Sequence, residues 1–252
     1  MLIDTHCHIH ESDYPLDGKD VIKNVHNAGV DQFICIGTNE ESSRQAVQFA
    51  GAHGEAFAAI GVHPHDSKDG WQGIGEIIHQ PSTNSKIVAI GEIGLDYFYN
   101  YSPHEVQIEA LRWQIELSLK NNLPVIFHVR DAFDDFWPIF DSYAGIRGVL
   151  HCFTDNQANL EAGLKRGLYI GVNGISTFTR DEAQKVVFDS IPLNRLLFET
   201  DAPFLTPAPF RGKVNEPAFV KNIADYHAAR RGISLQEIAS ATTANARALF
   251  AL

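Results

Sequence analysis

The sequence predicts a (β/α)8 barrel with extra C-terminal helices. Eight short apolar runs rich in β-branched residues alternate with helical patterns, as expected for parallel βα units. The 252 residues match the length at which such barrels fold as one domain, so we assign residues 1–252 to a single domain. Candidate metal ligands follow five of the runs, from the first to the last. An open doubly wound sheet is the alternative, but it would gather its ligands at one crevice.

The eight predicted strands are the apolar runs themselves. In chain order they are Leu2–His8, Gln32–Gly37, Ala56–Val62, Ile87–Ile93, Pro124–Val129, Gly148–Phe153, Tyr169–Val172 and Leu196–Thr200. The helical patterns between them are Lys19–Ala28, Ser42–Ala52, Gly73–His79, Pro103–Lys120, Ala132–Tyr143, Gln157–Arg166 and Asp181–Asp189. A regular strand and helix alternation of this kind favours a closed ring of parallel strands.

Three further helices are predicted after the last strand. A Pro-rich loop, Ala202–Pro209, precedes a helix from Asn215 to about Arg231 with Pro217 in its first turn. Two shorter helices follow, Leu235–Ala239 and Thr243–Phe250, and Thr242 or Thr243 is a plausible N-cap for the second.

Composition limits the classes of function. The net charge of −11, from 20 Lys+Arg against 31 Asp+Glu, argues against tight, non-specific binding of duplex DNA. No apolar run is long enough to span a bilayer, and the first residues lack the basic region of a signal peptide. The three cysteines give no sign of a disulfide framework, so the expected location is the cytoplasm.

Candidate metal ligands stand where predicted strands end. His6 and His8 are two residues apart, so in a strand both side chains point to the same face and can chelate one ion. The alternative is a pair of packed histidines, and His10 continues the alternation beyond the strand as a weaker candidate. Four further candidates close other strands: Glu92, His128, His151 and Asp201. Asp201 is also suited to orient a water molecule that a bound metal ion would activate for attack on a substrate.

Other polar residues near these positions are candidates for supporting roles. Glu199 is expected to hydrogen-bond a ligand or an arginine. Asp96 is expected to serve its loop through hydrogen bonds rather than as a ligand. Four residues are expected to contact an anionic substrate: His63, Arg130, Arg211 and Lys213. The alternative is that they occupy ordinary loop or surface positions. His65 is a poorer candidate than His63.

These motifs together resemble the TatD-type metal-dependent deoxyribonucleases over essentially the full chain. The matching segments are Ile3-Asp-Thr-His-Cys-His, Gly61-Val-His-Pro-His, Gly91-Glu-Ile-Gly-Leu-Asp-Tyr, Pro124-Val-Ile-Phe-His-Val-Arg-Asp-Ala, His151-Cys-Phe, Glu199-Thr-Asp-Ala-Pro-Phe-Leu and Arg211-Gly-Lys-Val-Asn-Glu-Pro. The resemblance implies an amidohydrolase-type barrel that binds one or two divalent ions and hydrolyses DNA phosphodiesters. By position, the residues that match the family's metal ligands are His6, His8, Glu92, His128, His151 and Asp201.

The resemblance also implies a mechanism, cleavage by a metal-activated water. One ion would be held by His6, His8, Glu92 and Asp201, and the other by Glu92, His128 and His151. Magnesium is common in the family, while histidine-rich ligation also suits zinc, manganese or nickel. The expected partner is DNA, with short or single-stranded ends favoured over long duplex. Two alternatives stay open: a small-molecule amidohydrolase acting on a lactone, amide or phosphoester, and a non-catalytic metal-binding protein.

Overall fold

The computed structural model describes residues 1–79 and 84–252. Eight parallel strands form one sheet in sequential order. The strands are β1 Leu2–Cys7, β2 Val30–Ile36, β3 Ala56–Ile60, β4 Ile87–Asp96, β5 Val125–Arg130, β6 Gly148–Leu150, β7 Tyr169–Val172 and β8 Leu196–Phe198. Every predicted strand is therefore found, with ends that differ by a few residues.

Helices lie between the strands and after the last one. They are α1 Gly18–Ala28, α2 Glu40–Ala52, α3 Ile74–Ile78, α4 His104–Asn121, α5 Phe133–Asp141, α6 Gln157–Lys165, α7 Ile175–Phe178, α8 Glu182–Ser190, α9 Val220–Arg231 and α10 Leu235–Phe250. Short 3-10 turns span Pro64–Asp69, Asn84–Lys86, Leu193–Arg195 and Pro217–Phe219. The 3-10 turns and α7 were not predicted from the sequence, because segments of three to six residues are too short to show a helical period.

The chain divides into two compact units. The terminal unit comprises Met1–Ile34 and Cys152–Leu252, and the central unit comprises Cys35–His151. The assignment of residues 1–252 to a single domain stays a prediction.

In the terminal unit the last strand returns to the first. Cys7 forms a parallel bridge with Ala202, and the amide of Asp201 donates to the carbonyl of His6 at 2.8 Å. The amide of His8 donates in turn to the carbonyl of Ala202 at 2.7 Å. Because the sheet runs sequentially from β1 to β8, this contact links its first strand to the segment that follows its last. The predicted fold class, a (β/α)8 barrel with additional C-terminal helices, is confirmed.

The C-terminal segment corrects two predictions. α10 is one continuous helix whose N-cap is Ser234, rather than two helices separated by a cap at Thr242 or Thr243. The hydroxyl of Thr242 donates to the carbonyl of Ile238 at 2.9 Å within the helix, and that of Thr243 donates to the carbonyl of Met1 at 3.0 Å. Both hydroxyls thus have partners that leave the helical backbone intact.

The helix predicted to begin at Asn215 begins later. A 3-10 turn at Pro217–Phe219 comes first, and α9 begins at Val220. Asn215 is fully buried, and its amide group donates to the carbonyls of Thr200 and Phe204 at 2.8 and 2.5 Å. This residue therefore ties the loop after β8 together instead of opening a helix.

In the central unit, β4 continues past its predicted end at Ile93 to Asp96. Gly94 pairs with His128 on β5, and a Cβ atom at Gly94 would lie 1.7 Å from the carbonyl oxygen of His128. Only glycine permits this approach, and its φ of +155° is a conformation that other residues rarely adopt. The close pairing carries β4 beside His128, and it places Asp96 level with Arg130.

Each unit has an apolar interior. Large, fully buried side chains include Phe33 and Phe198 in the terminal unit, and Ile60, Ile90 and Phe127 in the central unit. Burial of a side chain of this size contributes about 1.5–3 kcal/mol. Among the helices of residues 1–79 and 84–252, none has the length and apolar character needed to cross a bilayer.

Candidate functional site

Three predicted ligands meet in the terminal unit, and we call them the terminal cluster: His6, His8 and Asp201. The Nε2 atoms of His6 and His8 are 3.2 Å apart, and Oδ1 of Asp201 lies 3.5 and 3.4 Å from them. Cys7, between the two histidines, points the other way and donates its Sγ–H to the carbonyl of Ile34. The alternation of a strand therefore brings both imidazoles to one face, as predicted.

A buried carboxyl group holds the backbone of the terminal cluster. Oδ1 of Asp4 accepts the amide of Thr200 at 2.8 Å, and Oδ2 accepts the hydroxyl of Thr200 at 2.5 Å. Burial raises the pKa of Asp4 to about 8. Asp201, the next residue after Thr200, has a φ of +59°, a left-handed conformation that aspartate tolerates. Asp4 thus links β1 to the turn that presents Asp201.

Sequence reasoning did not single out Asp4. A signal was present, because a carboxylate inside the apolar run Leu2–Thr5 is costly unless it finds partners. Nothing in the sequence identified Thr200, 196 positions away, as that partner.

The central unit carries a second group, the central cluster, which consists of Glu92, His63, His128 and His151. Oε1 of Glu92 lies 2.8 Å from Nδ1 of His128, 3.4 Å from Nε2 of His63 and 3.6 Å from Nε2 of His151. Glu92 and His151 are buried, as is His63, while His128 is partly exposed. The predicted ligands Glu92, His128 and His151 are therefore brought together around one carboxylate oxygen.

His128 lies between two carboxylates. Its Nδ1 faces Glu92 at 2.8 Å and its Nε2 faces Oδ2 of Asp96 at 3.0 Å. Burial alone lowers the pKa of His128, but hydrogen bonds to Asp96 and Glu92 outweigh it and raise the pKa above the ordinary value. Burial likewise raises the pKa of Asp96, yet its bonds to His128, the Tyr99 amide and His65 leave the net pKa well below the usual range.

His63 was predicted as a substrate contact, and the structure places it with Glu92 and His128. The ligand atoms of these three residues lie within 4.8 Å of one another. Nδ1 of His63 accepts the amide of His65 at 3.1 Å, so a neutral ring carries its hydrogen on Nε2, which faces Glu92. Burial lowers the pKa of His63 to about 4, so the ring is neutral at pH 7. This tautomer suits a hydrogen-bond donor better than a metal ligand.

Glu199 and His10 lie in the terminal unit. Oε1 of the buried Glu199 accepts the amide of Cys152, the residue after His151 in the chain, at 2.7 Å. Glu199 therefore fixes the backbone at Cys152, and its expected hydrogen bond to a ligand or an arginine stays a prediction. The ring of His10 is buried and its centroid lies 6.4 Å from that of His8.

The predicted cations each lie against an aromatic ring. The guanidinium of Arg130 is 4.0 Å from the ring centroid of Phe98 in the central unit. In the terminal unit, the guanidinium of Arg211 is 3.8 Å from the ring of Phe178 and also donates to the carbonyl of Thr206 at 2.9 Å. Lys213 is more loosely placed, with its Nζ 5.2 Å from the ring of Phe210.

The donors of the terminal cluster fit a divalent cation. Ligand atoms about 2.0–2.2 Å from a tetrahedral ion lie roughly 3.3–3.6 Å apart, and around an octahedral ion roughly 3.0 Å apart. The three distances of the triangle, 3.2, 3.4 and 3.5 Å, fall in this span. Imidazole and carboxylate are also the donor types that zinc, manganese and related ions take in proteins.

A (β/α)8 barrel whose strands end in histidine and carboxylate donors is the architecture of a metallohydrolase. Comparison with known proteins gives the same class. The chain is 39% identical over 252 residues to YabD of Bacillus subtilis, an uncharacterized metal-dependent hydrolase, with 99% of each chain covered. It is 35% identical to the 3'-5' ssDNA/RNA exonuclease TatD of Citrobacter rodentium, covering all of this chain and 98% of the other.

Structure and family models agree with these relatives. The crystal structure of YjjV, a TatD homologue of Escherichia coli K12, matches with a TM-score of 0.91 at 29% identity, over 100% of this chain and 98% of that one. The model of the family described as TatD related DNase matches residues 3–251. The chain belongs to this family, which confirms the resemblance and the predicted class of enzyme, a hydrolase acting on ester bonds.

Proposed function

We propose that this protein hydrolyses phosphodiester bonds at the ends of short or single-stranded DNA, with divalent cations held by its two clusters. The observation that carries the proposal is the triangle of His6, His8 and Asp201, whose edges of 3.2–3.5 Å match one coordination sphere. Packed structural histidines need no such spacing. The Citrobacter rodentium relative is named a 3'-5' ssDNA/RNA exonuclease, which supports the choice of substrate.

The terminal cluster would supply the attacking group. A divalent cation activates water and offsets charge that develops on a phosphoryl oxygen. Asp201 keeps 15% of its side chain exposed, whereas His6 is fully buried, so Asp201 is the member positioned to meet solvent and accept a proton from the nucleophile. His6 and His8 would serve as ligands only.

The central cluster would supply a second ion site and a donor. Glu92 and His128, with His151, are the proposed ligands, and Glu92 is the proposed shared ligand because each oxygen of a carboxylate can bind an ion. His63 keeps its Nε2 hydrogen and would donate it to a non-bridging phosphoryl oxygen. In the structure Oε1 of Glu92 lies 3.4 Å from this nitrogen.

Metal identity and cellular location also belong to this proposal. Magnesium is the proposed ion on the family resemblance, with zinc, manganese and nickel as the alternatives that histidine ligation favours. The cytoplasm is the proposed location, from the cysteine content. The family membership favours nucleic-acid hydrolysis over the small-molecule alternative.

The test is digestion of 5'- and 3'-end-labelled oligonucleotides, single- and double-stranded, by chelator-stripped protein to which magnesium, manganese, zinc or nickel is restored. We expect metal-dependent shortening of the single strand, faster than that of the duplex. His6→Ala, His8→Ala and Asp201→Ala should each remove most of it. His227→Gln is the matched control, because His227 is an equally buried histidine of the terminal unit outside the cluster. No cleavage of any oligonucleotide with any of the four metals would overturn the proposal.

A further inference from the structure

The loop that follows β4 exposes three aromatic side chains. Phe98, Tyr99 and Tyr101 are 53%, 46% and 57% exposed, although large aromatic residues are usually buried. They account for three of the seven large hydrophobic residues that are exposed in residues 1–79 and 84–252. Together with Arg130 we call them the aromatic platform. The clustering requires an explanation, because scattered exposed residues are ordinary and contiguous ones mark binding surfaces.

The rings of the platform are arranged for stacking. Those of Tyr99 and Tyr101 are nearly parallel, with an angle of 10° between them and centroids 5.4 Å apart. The guanidinium of Arg130 lies 4.0 Å from the ring of Phe98 and 4.9 Å from that of Tyr99. Arg130 is exposed, and no carboxylate in the described part of the chain forms an ion pair with it. Its charge is therefore available to an anion.

The platform is fixed to the central cluster through Asp96. Oδ1 of this fully buried carboxylate accepts the amides of Phe98 and Tyr99, both at 3.0 Å. Its Oδ2 meets the rings of His65 and His128, also at 3.0 Å each. The ring of His65 in turn contacts those of Tyr99 and Tyr101, with centroids 5.4 and 4.8 Å apart. One carboxylate thus holds both the aromatic loop and a proposed metal ligand.

We propose that the aromatic platform binds an unpaired base of a single-stranded substrate and that Arg130 binds the adjoining phosphate. This inference rests on the proposed function and extends it to the residues that select single strands. Every base has a stacking face, but in a duplex those faces are covered by neighbouring base pairs, so exposed tyrosines next to a cation favour a single strand. The continuity with Asp96 and His128 argues for this occupant over a protein partner, since a base bound there is tethered to a phosphate near the cluster.

The experiment measures binding without turnover. The ligands are two fluorescent single strands with non-hydrolysable terminal linkages. One strand is complete, and the other has abasic sites at its last three positions. Metal-loaded protein is added to each strand, and fluorescence anisotropy measures the binding. We expect Tyr99→Ala and Tyr101→Ala to weaken binding of the complete strand by about 5- to 150-fold, the loss typical of one stacked base. Both variants should bind the abasic strand as the wild type does. Tyr101→Phe, which keeps the ring, should bind the complete strand with the affinity of the wild type.

A matched control is Tyr169→Ala, because the ring of Tyr169 also lies against an arginine, 5.0 Å from the guanidinium of Arg195. Tyr169 is the first residue of β7, whereas Arg130 is the last residue of β5. It should leave the affinity for both strands unchanged. If Tyr99→Ala and Tyr101→Ala lose equal affinity for the complete and abasic strands, or lose none for either, the inference is overturned. Cleavage by the wild type would still leave the proposed function intact. Absence of cleavage with any metal would instead remove the proposed function. Thermal melting of each variant checks that the fold is retained.

Discussion

The two clusters use the same donor types in different arrangements. In the terminal cluster no two ligand atoms are closer than 3.2 Å, and two imidazole nitrogens face each other. In the central cluster His128 is hydrogen-bonded to Glu92 at 2.8 Å and also to Asp96, outside the cluster, at 3.0 Å. At most one hydrogen can lie between Nε2 of His6 and Nε2 of His8. In contrast, a hydrogen on each ring nitrogen of His128 can be donated to a carboxylate. The terminal cluster is therefore spaced for a cation, whereas a cation in the central cluster would have to replace a hydrogen of His128.

The largest effect should come from Glu92→Gln. Gln keeps the size but replaces one oxygen by an amide nitrogen that cannot ligate, at a position within 3.6 Å of three imidazoles. We expect activity to fall by well over the roughly 10- to 100-fold that removal of a supporting hydrogen bond costs. Glu199→Gln, which alters a carboxylate bonded to a backbone amide, should stay within that range. Metal content of the purified variants separates the cases: both ions retained at wild-type affinity would show that Glu92 is not the shared ligand.

Paired histidine variants test whether the clusters are separate ion sites. His6→Ala and His128→Ala should each lose most activity and bind less metal than the wild type, with circular dichroism unchanged. We expect the loss of metal to be more complete in His6→Ala, because the contacts of Asp201 with the imidazoles of its cluster, at 3.4 and 3.5 Å, are longer than the 2.8 Å contact of Glu92 with His128. Measured metal stoichiometry decides this. Turnover at the wild-type rate by either variant with only trace metal present would contradict the two-metal arrangement.

A third histidine sharpens the contrast, because it is buried without belonging to either cluster. The hydroxyl of Ser176 donates to the carbonyl of Asn173, so Nε2 of His227 must donate to that hydroxyl, at 2.9 Å. Burial lowers the pKa of His227 to about 3. The unfolded chain protonates this residue below about pH 6.5 and the folded one does not, so stability is lost as the pH falls from 6.5 toward 3.

The expected loss from His227 between pH 7 and pH 5 is on the order of 2 kcal/mol. His227→Gln keeps a donor for Ser176 without titrating, so its free energy of unfolding should fall less over the same range. Urea denaturation at both pH values measures the difference. Parallel curves for variant and wild type would show that the folded protein protonates His227 as readily as the unfolded chain does.

The smallest effect concerns the cations of the two units. With a net charge of −11, few phosphates should be neutralised, so DNA affinity should fall only shallowly with salt. Arg130→Ala and Lys213→Ala should each reduce the salt slope by about one. Arg211→Ala should change it less, since that guanidinium already donates to the carbonyl of Thr206. A wild-type slope as steep as that of a repressor with many phosphate contacts would reveal an extended basic surface.

The sequence was sufficient to predict the strands in their order and the placement of His6 and His8 on one face of a strand, because both depend on local periodicity. It also indicated Glu92, His128, His151 and Asp201 as candidates, since a polar residue after an apolar run is visible without a structure. Their roles as ligands remain predictions. Where tertiary partners decide, sequence reasoning was insufficient: Thr243 reads as a cap, yet its hydroxyl reaches the carbonyl of Met1.

Asp96 illustrates the same limit inside the site. The position of Asp96 shortly after a glycine led us to predict that it forms hydrogen bonds within its loop. In the structure it accepts the amides of Phe98 and Tyr99. Its second oxygen also meets two histidines that are 31 and 32 positions away, and no spacing rule connects them. The tautomer of His63 was equally out of reach, because it depends on a backbone amide two residues later in a particular turn.

The span of each cluster along the chain has a consequence for how the protein is made. All four members of the central cluster are synthesised once residue 151 leaves the ribosome, whereas the terminal cluster joins residue 6 to residue 201. At about 5–20 residues per second, the ribosome needs some 3–10 s more to reach the aspartate. During that interval the nascent chain carries His6 and His8 without Asp201, which follows β8, and a product truncated before residue 201 would keep the central donors while lacking the triangle.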